Sequence, residues 1–149
     1  MITLKRTNFQ NSDFVALVKL LDADLKIRDG VEHGFYDQFN KIDGLQHVVI
    51  AYENSQAVGC GAFKIHEGNF VEIKRMYVSI QGRRKGVASA VLNELEQWAT
   101  TLNFDKCILE TGKQQPEAIA LYKKCGYTIT QNFGFYENVE NSLCFQKIL

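Results

Sequence analysis

The sequence has no excess of charge of either sign and no long run of apolar residues. Its 17 Lys and Arg balance 17 Asp and Glu, whereas a nucleic-acid-binding protein usually carries a basic excess or a long basic stripe. The longest run of aliphatic residues, Val48–Ala51, is far shorter than the roughly twenty residues that span a membrane. The amino terminus, Met1–Arg6, has no apolar segment of the kind that forms a signal peptide. We therefore expect neither a nucleic-acid nor a membrane partner.

Cysteine is sparse, and its spacing favours no disulfide framework or metal site. Cys60, Cys107, Cys125 and Cys144 form no CxxC pair, and the three histidines show no ligand spacing. Each cysteine lies in an apolar segment, where a free thiol behaves as a small hydrophobe. A thiol-based redox protein would need a reactive thiol of low pKa, which these settings disfavour. A reduced, cytoplasmic protein without a metal is the simplest interpretation.

The length and composition predict one folded domain covering residues 1–149. Apolar residues make up 46% of the chain, which is enough for a core, and 23% charged residues is too little for a disordered chain. No repeat, low-complexity segment or linker divides the sequence.

Hydrophobic periodicity and turn residues predict the element order β-α-α-β-β-β-α-β-α-β-β, an α/β or α+β fold. The expected architecture is a mixed sheet of about seven strands with about four helices, antiparallel early and with a βαβ crossover in the middle. Gly59 and Gly61 lie within a predicted strand, and they predict that a neighbouring part of the chain comes close to the backbone there. The predicted elements are a strand at 2–6, a helix capped by Asn11 or Ser12 and broken at 28–30, a short helix around 35–42, strands at 47–52, 57–65 and 70–78, a helix at 87–102, a strand at 106–110, a helix from Pro116 to Gly126, and strands at 127–131 and 142–149.

The junction at residues 78–89 joins the end of a strand to a basic, glycine-containing loop and then to a helix. Exposed N–H groups at a helix start carry partial positive charge and suit a phosphate or pyrophosphate. Gly86 lets the backbone approach an anion without a side chain in the way, and Ala88 is small. Neither GxxxxGK[ST] nor GxGxxG is present. The residues alone predict either an anion-binding loop or a solvated basic turn.

This stretch resembles the acetyl-CoA pyrophosphate loop of the GCN5-related N-acetyltransferase (GNAT) superfamily. Residues 83–88 (RRKGVA) match its R/Q-x-x-G-x-G/A signature, and residues 72–78 (EIKRMYV) resemble its fourth strand. Residues 110–112 (ETG) and 116–127 (PEAIALYKKCGY) resemble the second half of its cofactor site. The resemblance covers the whole chain in element order and is most specific over residues 70–127. It implies a single GNAT-like domain that uses acetyl-CoA as acyl donor.

The resemblance also implies where acetyl-CoA would bind. In this family the cofactor lies in a cleft where the fourth and fifth strands splay apart. Gln115 stands where relatives often have an asparagine that contacts the cofactor; a plain loop role is the alternative. Backbone groups around Tyr77, namely those of Met76 and Val78, would pair with the pantetheine arm. The pyrophosphate would lie against Arg83, Arg84, Lys85, Gly86, Val87, Ala88 and Ser89.

Two proton transfers accompany the direct attack of an amine on the thioester that the resemblance implies. A lysine-like amine has a pKa near 10.4, so deprotonation at pH 7 costs about 4–5 kcal/mol, and a base would offset part of this. The resemblance makes Glu72 the candidate base, although a solvated strand residue or an anchor for the substrate ammonium is also consistent with its position. It makes Tyr122 the candidate acid for the leaving thiolate; the alternative is a tyrosine half-buried against the sheet.

The residues that line the acceptor pocket in relatives correspond here to two segments, from which we select Tyr36, Phe135, Tyr136 and Glu137 as candidate substrate-binding residues. The predicted function is transfer of acetyl from acetyl-CoA to a primary amine of a small molecule, peptide or protein. The alternative is a non-catalytic acyl-CoA-binding module that acts as a sensor or as part of an assembly. Dimerisation is common in the family, so a homodimer is a further expectation.

Overall fold

The computed structural model describes residues 1–29 and 41–149. Seven strands form one mixed sheet, as predicted. The helix predicted around residues 35–42 lies mostly outside the described residues, which contain three α-helices instead of the expected four. The elements are β1 (Ile2–Thr7), α1 (Ser12–Asp29), β2 (His47–Glu53), β3 (Gln56–His66), β4 (Phe70–Val78), α2 (Val87–Thr101), β5 (Lys106–Gly112), α3 (Pro116–Lys124), β6 (Thr128–Thr130) and β7 (Ser142–Ile148).

Local sequence signals account for where the helices begin. The Oδ1 atom of Asn11 accepts hydrogen bonds from the backbone N–H groups of Asp13 (2.8 Å) and Phe14 (3.2 Å), so Asn11 is the cap of α1. Pro116 occupies the first turn of α3, where its missing N–H removes no helical hydrogen bond. None of the helices in the described part of the chain has the length and apolarity needed to cross a membrane.

The strand order in the sheet is β1-β2-β3-β4-β5-β7-β6. Strands β1 to β4 pair in antiparallel fashion, whereas β4 and β5 are parallel and are connected by α2. Their pairing is short: it covers Phe70–Glu72 and Lys106–Ile108, although β4 continues to Val78 and β5 to Gly112. Beyond this point the two strands separate, and a cleft opens between their carboxyl ends.

Both faces of the sheet are covered by helices. Helix α1 packs on one face against side chains of β2 and β3, including Val48 and Ile50. Helices α2 and α3 pack on the other face, where the adjacent β2 residue Val49 is buried with Phe63 and Leu95. Because successive side chains of a strand point to opposite faces, a strand covered on both sides reads as a continuous apolar run. This explains the uninterrupted stretch at residues 48–51.

Glycine in β3 allows α2 to lie close to the sheet. A Cβ atom added at Gly59 would lie 2.7 Å from Cγ1 of Val87, and one at Gly61 would lie 3.0 Å from Cδ1 of Leu95. The predicted close approach at these two glycines is confirmed. Since Val87 is the first residue of α2, the contact with Gly59 also positions the loop that precedes this helix.

Candidate functional site

The cleft between β4 and β5 consists of two connected chambers. The charged chamber, of about 100 Å³, is lined by Glu72, Lys74, Arg75, Glu110 and Tyr136 among others. The loop chamber, of about 510 Å³, is lined by Tyr77, Val78, Arg83, Arg84 and residues 86–89 among others. Both chambers share the side chains that stand between them: Leu21, Met76, Gln115, Ala118 and Tyr122.

The start of α2 presents to the loop chamber backbone N–H groups that have no partner within the helix. The first helical hydrogen bond runs from the N–H of Ala90 to the carbonyl of Gly86 (3.0 Å), and no side chain caps the helix. The N–H groups of residues 87–89 therefore lack partners within the helix. Gly86 has a φ of 75°, and a Cβ atom there would meet nothing within 4 Å. Open space beside free donors at the positive end of a 15-residue helix suits an anion.

The three basic side chains of the loop do not share one environment. Arg83 and Arg84 line the loop chamber, and the Nε–H of Arg83 donates to the carbonyl of Val78 at 3.2 Å. Lys85 does not line it; its Nζ lies 2.8 Å from Oε1 of Glu53 at the end of β2. The structure thus separates Lys85 from the other predicted cofactor-binding residues and brings Arg83 and Arg84 to the cleft.

Glu72 is the most enclosed carboxylate of the charged chamber, with a side chain that is 9% exposed. Its Oε1 lies 2.9 Å from Nε2 of His66, and its Oε2 lies 3.6 Å from Nζ of Lys74. His66 is 30% exposed and stacks on Phe70 with ring centroids 5.2 Å apart. The contact between Glu72 and His66 therefore links a buried carboxylate in the cleft to a partly exposed imidazole.

Tyr122 lies where the two chambers meet. Its ring packs against Tyr127 and Phe145, with centroids 5.9 Å away in each case, on the face of the sheet that α3 covers. Burial, together with the negative charge of Glu110, raises the pKa of the Tyr122 hydroxyl above its ordinary value. The hydroxyl is therefore neutral at physiological pH and available as a hydrogen-bond and proton donor.

The candidate acceptor residues are dispersed. Tyr136 is buried and lines the charged chamber, held by an edge-to-face contact with Phe133. Phe135 is 73% exposed, Glu137 is also exposed, and neither lines a chamber. Tyr36 lies outside the described residues. Only Tyr136 of this set is brought to the cleft by the described part of the structure.

Three of the four cysteines are buried thiols whose pKa is raised above its ordinary value. Burial raises the pKa of Cys60 and Cys107 to about 12, so both thiols are protonated at neutral pH. For Cys144, burial and the charges of Glu110 and Glu72 raise the pKa to about 11. No group of three or more His, Cys, Asp or Glu side chains with the geometry to hold a metal occurs in residues 1–29 and 41–149.

The sequence patterns assign no role to His66, which contacts Glu72, or to Arg75, which lines the charged chamber. His66 lies six residues before Glu72, across the turn between β3 and β4, whereas Glu110 belongs to the segment 110–112 that resembles the cofactor site and has no sequence spacing that places it beside Glu72. Arg75 lies within the recognised fourth-strand segment, but strand alternation alone would place it in the core. The one feature of the sequence that draws attention to Arg75 is its position, three residues after the candidate base Glu72.

Comparison with known proteins identifies the family. The family model described as "Acetyltransferase (GNAT) family" matches residues 14–127. An IAA acetyltransferase of Azospirillum brasilense is 35% identical over 102 residues, which are 68% of this chain and 67% of that protein.

Solved structures share the fold of the described residues. A Klebsiella pneumoniae protein described as a candidate acyl-CoA N-acyltransferase superposes with a TM-score of 0.84 at 28% identity, covering 100% of this chain and 98% of that one. A GNAT acetyltransferase from Elizabethkingia anophelis with acetyl-CoA bound has a TM-score of 0.73 at 18% identity, covering 99% of this chain and 98% of that one. These likenesses confirm the predicted mixed-sheet architecture.

Proposed function

The chain belongs to the acetyltransferase (GNAT) family and is an acyltransferase, and from this premise we propose that it transfers the acetyl group of acetyl-CoA to a primary amine. The observation that carries the proposal is the cleft itself: a chamber with free helix donors meets a chamber with a buried carboxylate, and Tyr122 stands between them. The acceptor is the amine of a small molecule, peptide or protein.

The loop chamber is the proposed site of the donor. Acetyl-CoA is bound in the structure of the E. anophelis acetyltransferase, which has the same fold. Here, the N–H groups of residues 87–89, with Arg83 and Arg84, would hold the pyrophosphate, because charge-assisted bonds from guanidinium and helix N–H groups are strong for phosphate. Tyr77, Met76 and Val78 line the way from this loop towards Tyr122, so the thioester would lie where the chambers meet.

Glu72 is the proposed base. It is enclosed in the charged chamber, and its two oxygens contact an imidazole and an ammonium. Removing a proton from the acceptor ammonium creates the lone pair that attacks the thioester carbon. His66, partly exposed, offers that proton a route from the cleft to solvent.

Tyr122 is the proposed acid. The nitrogen–carbon bond forms, the tetrahedral intermediate collapses, and the carbon–sulfur bond breaks to release CoA thiolate. The hydroxyl of Tyr122 donates its proton to this sulfur, and the raised pKa keeps that proton in place at neutral pH. The nitrogen loses two protons in all: Glu72 takes the first before attack, and the second leaves as the tetrahedral intermediate collapses. The second offsets, through solvent, the proton that Tyr122 gives to sulfur, so the products are the N-acetylated amine, CoA and one released proton.

The proposal is tested by mass spectrometry of amines incubated with the protein and acetyl-CoA, with an acceptor-free reaction to measure hydrolysis. We expect Glu72→Gln to lower kcat by about 10²- to 10³-fold, as loss of a general base does. The deficit should shrink as pH rises, because the free-amine fraction then grows without help from a base. Glu67→Gln, at an exposed position of the preceding turn, is the matched control and should leave kcat unchanged.

Tyr122→Phe separates catalysis from binding. We expect kcat to fall while the affinity for acetyl-CoA stays within about twofold, since the ring contacts remain. Equal losses in both would contradict the acid role. Saturable binding of acetyl-CoA without acetylation of any amine would contradict the proposed reaction and favour the non-catalytic acyl-CoA-binding alternative.

A further inference from the structure

Strand β4 contains a bulge that changes the face to which Arg75 points. Two of its residues, Arg75 and Met76, lie opposite the single β3 residue Gly61. Arg75 has a φ of 58°, in the left-handed region that few non-glycine residues adopt. Ile73 points into the core beneath α2, and regular alternation would send Arg75 there as well. Instead, the Nη2 group of Arg75 donates to Oδ1 of Asp22 on the opposite face. Bulges next to active sites commonly redirect a side chain in this way.

The guanidinium of Arg75 retains an unused donor. Its side chain is 2% exposed, it lines the charged chamber, and Asp22 occupies Nη2. The Nε–H is buried and has no hydrogen-bond partner in the described part of the chain. Leaving a buried donor unpaired is costly, and a guanidinium N–H forms a strong, charge-assisted hydrogen bond with a carboxylate. The arrangement points to an anionic group on the molecule that enters this chamber.

The charges of the chamber support the same conclusion. Its lining contains two carboxylates, Glu72 and Glu110, and two cations, Lys74 and Arg75; Asp22, the partner of Arg75, lies outside the lining and is 41% exposed. A site for a purely cationic amine would be favoured by an acidic excess, whereas balanced charges match a ligand that carries both signs. The volume of about 100 Å³ suits a small group.

We infer that the acceptor is an amine that also carries a carboxylate, such as an amino acid, with the carboxylate bound at Arg75 and the amine directed to Glu72. The inference rests on the proposed amine acetylation and specifies its substrate class. Arg75 would then be a specificity-determining residue, while proton transfer remains with Glu72 and Tyr122.

The test uses pairs of acceptors that differ only in the carboxylate. Amino acids are compared with their methyl esters, and ω-amino acids of three to six carbons with alkylamines of equal length. We expect kcat/KM for the carboxylate member to be about tenfold or more higher, in the range of a charge-assisted hydrogen bond. Arg75→Gln should abolish this preference by raising KM for the carboxylate member, with KM for acetyl-CoA and for the plain amine little changed.

Two further variants keep the test decisive. Arg75→Lys retains the charge but loses the Nε–H donor, so it should reduce the preference, and it replaces Arg75→Gln if the latter does not fold. Arg6 lies outside the cleft, where its Nε is 2.7 Å from Oε2 of Glu94. Arg6→Gln should therefore leave the preference intact. Equal kcat/KM within the pairs, or a preference that survives in Arg75→Gln, would overturn this inference and leave the proposed amine acetylation standing. If neither kind of amine is acetylated, the proposed function fails and the inference fails with it.

Discussion

One charge placed at Gly86 tests whether the start of α2 binds an anion. Gly86 adopts a φ of 75°, and a Cβ atom there would have no neighbour within 4 Å. Asparagine and aspartate tolerate this backbone conformation better than other non-glycine residues, and they have nearly the same shape. The variants Gly86→Asn and Gly86→Asp therefore share any strain and differ by one negative charge.

The electrostatic effect can be estimated from the position of the helix start. A carboxylate on residue 86 would lie about 4–5 Å from an anion held by the N–H groups of residues 87–89. Repulsion at that separation is about 1 kcal/mol in water and about 3–4 kcal/mol at the effective dielectric of a protein surface. We expect Gly86→Asp to bind acetyl-CoA about 5- to 150-fold more weakly than Gly86→Asn, which corresponds to about 1–3 kcal/mol.

The same charge should have the opposite effect on the free protein. A carboxylate at a helix start interacts favourably with the helix dipole, by about 0.3–1 kcal/mol. Gly86→Asp should therefore be slightly more stable than Gly86→Asn in urea unfolding while binding acetyl-CoA more weakly in calorimetric titration. The affinity difference should shrink in 1 M salt, where charges are screened. Equal affinities of the two variants, or a difference insensitive to salt, would refute an anion site at this helix start.

Three further predictions follow. The Nε2 atom of His66 lies 2.9 Å from Glu72, and His66→Gln should lower kcat about three- to tenfold, as expected for the loss of one hydrogen bond. Added imidazole should restore part of the lost activity. An equal loss of acetyl-CoA affinity would indicate a structural role instead. Gly59→Ala places a Cβ 2.7 Å from Val87 and should lower the free energy of unfolding by about 1–3 kcal/mol; an unchanged urea midpoint would contradict it. Burial raises the pKa of Cys60 and Cys107 from 9.0 to about 12, so the folded state holds these protons more tightly than the unfolded state. Their contribution to the free energy of unfolding should be intact below pH 9 and lost between pH 9 and 12. Denaturation midpoints that are flat over this range would contradict the prediction.

Much of the fold could be predicted because local patterns decide local structure. Strand β4 begins and ends at the predicted residues, Phe70 and Val78, and the other strands agree within about two residues. Pro116 and the apolar spacing of α2 set the starts of their helices. The loop at residues 83–88 is recognisable through its resemblance to the family signature, in which a basic residue, a glycine and a small residue stand at fixed positions.

Long-range placement could not be predicted in this way. Strand β7 inserts between β5 and β6, and this brings Cys144 beside Glu110, although 34 residues separate them. Loop residues 135–137 follow one another in sequence, yet Tyr136 lines the cleft while Phe135 is exposed, because a short turn directs successive side chains differently.

By itself, the sequence determined the elements, the family resemblance and the residues of the loop before α2, since each depends on neighbours along the chain. Tertiary structure alone decided that Lys85 pairs with Glu53 away from the loop chamber, that His66 contacts Glu72, and that Arg75 faces the charged chamber. The last depends on a bulge in β4, and a shift of one residue in strand pairing moves a side chain from one face of a sheet to the other. The presence of Arg75 in the charged chamber was therefore set by strand register, which is a property of two strands together and of neither sequence alone.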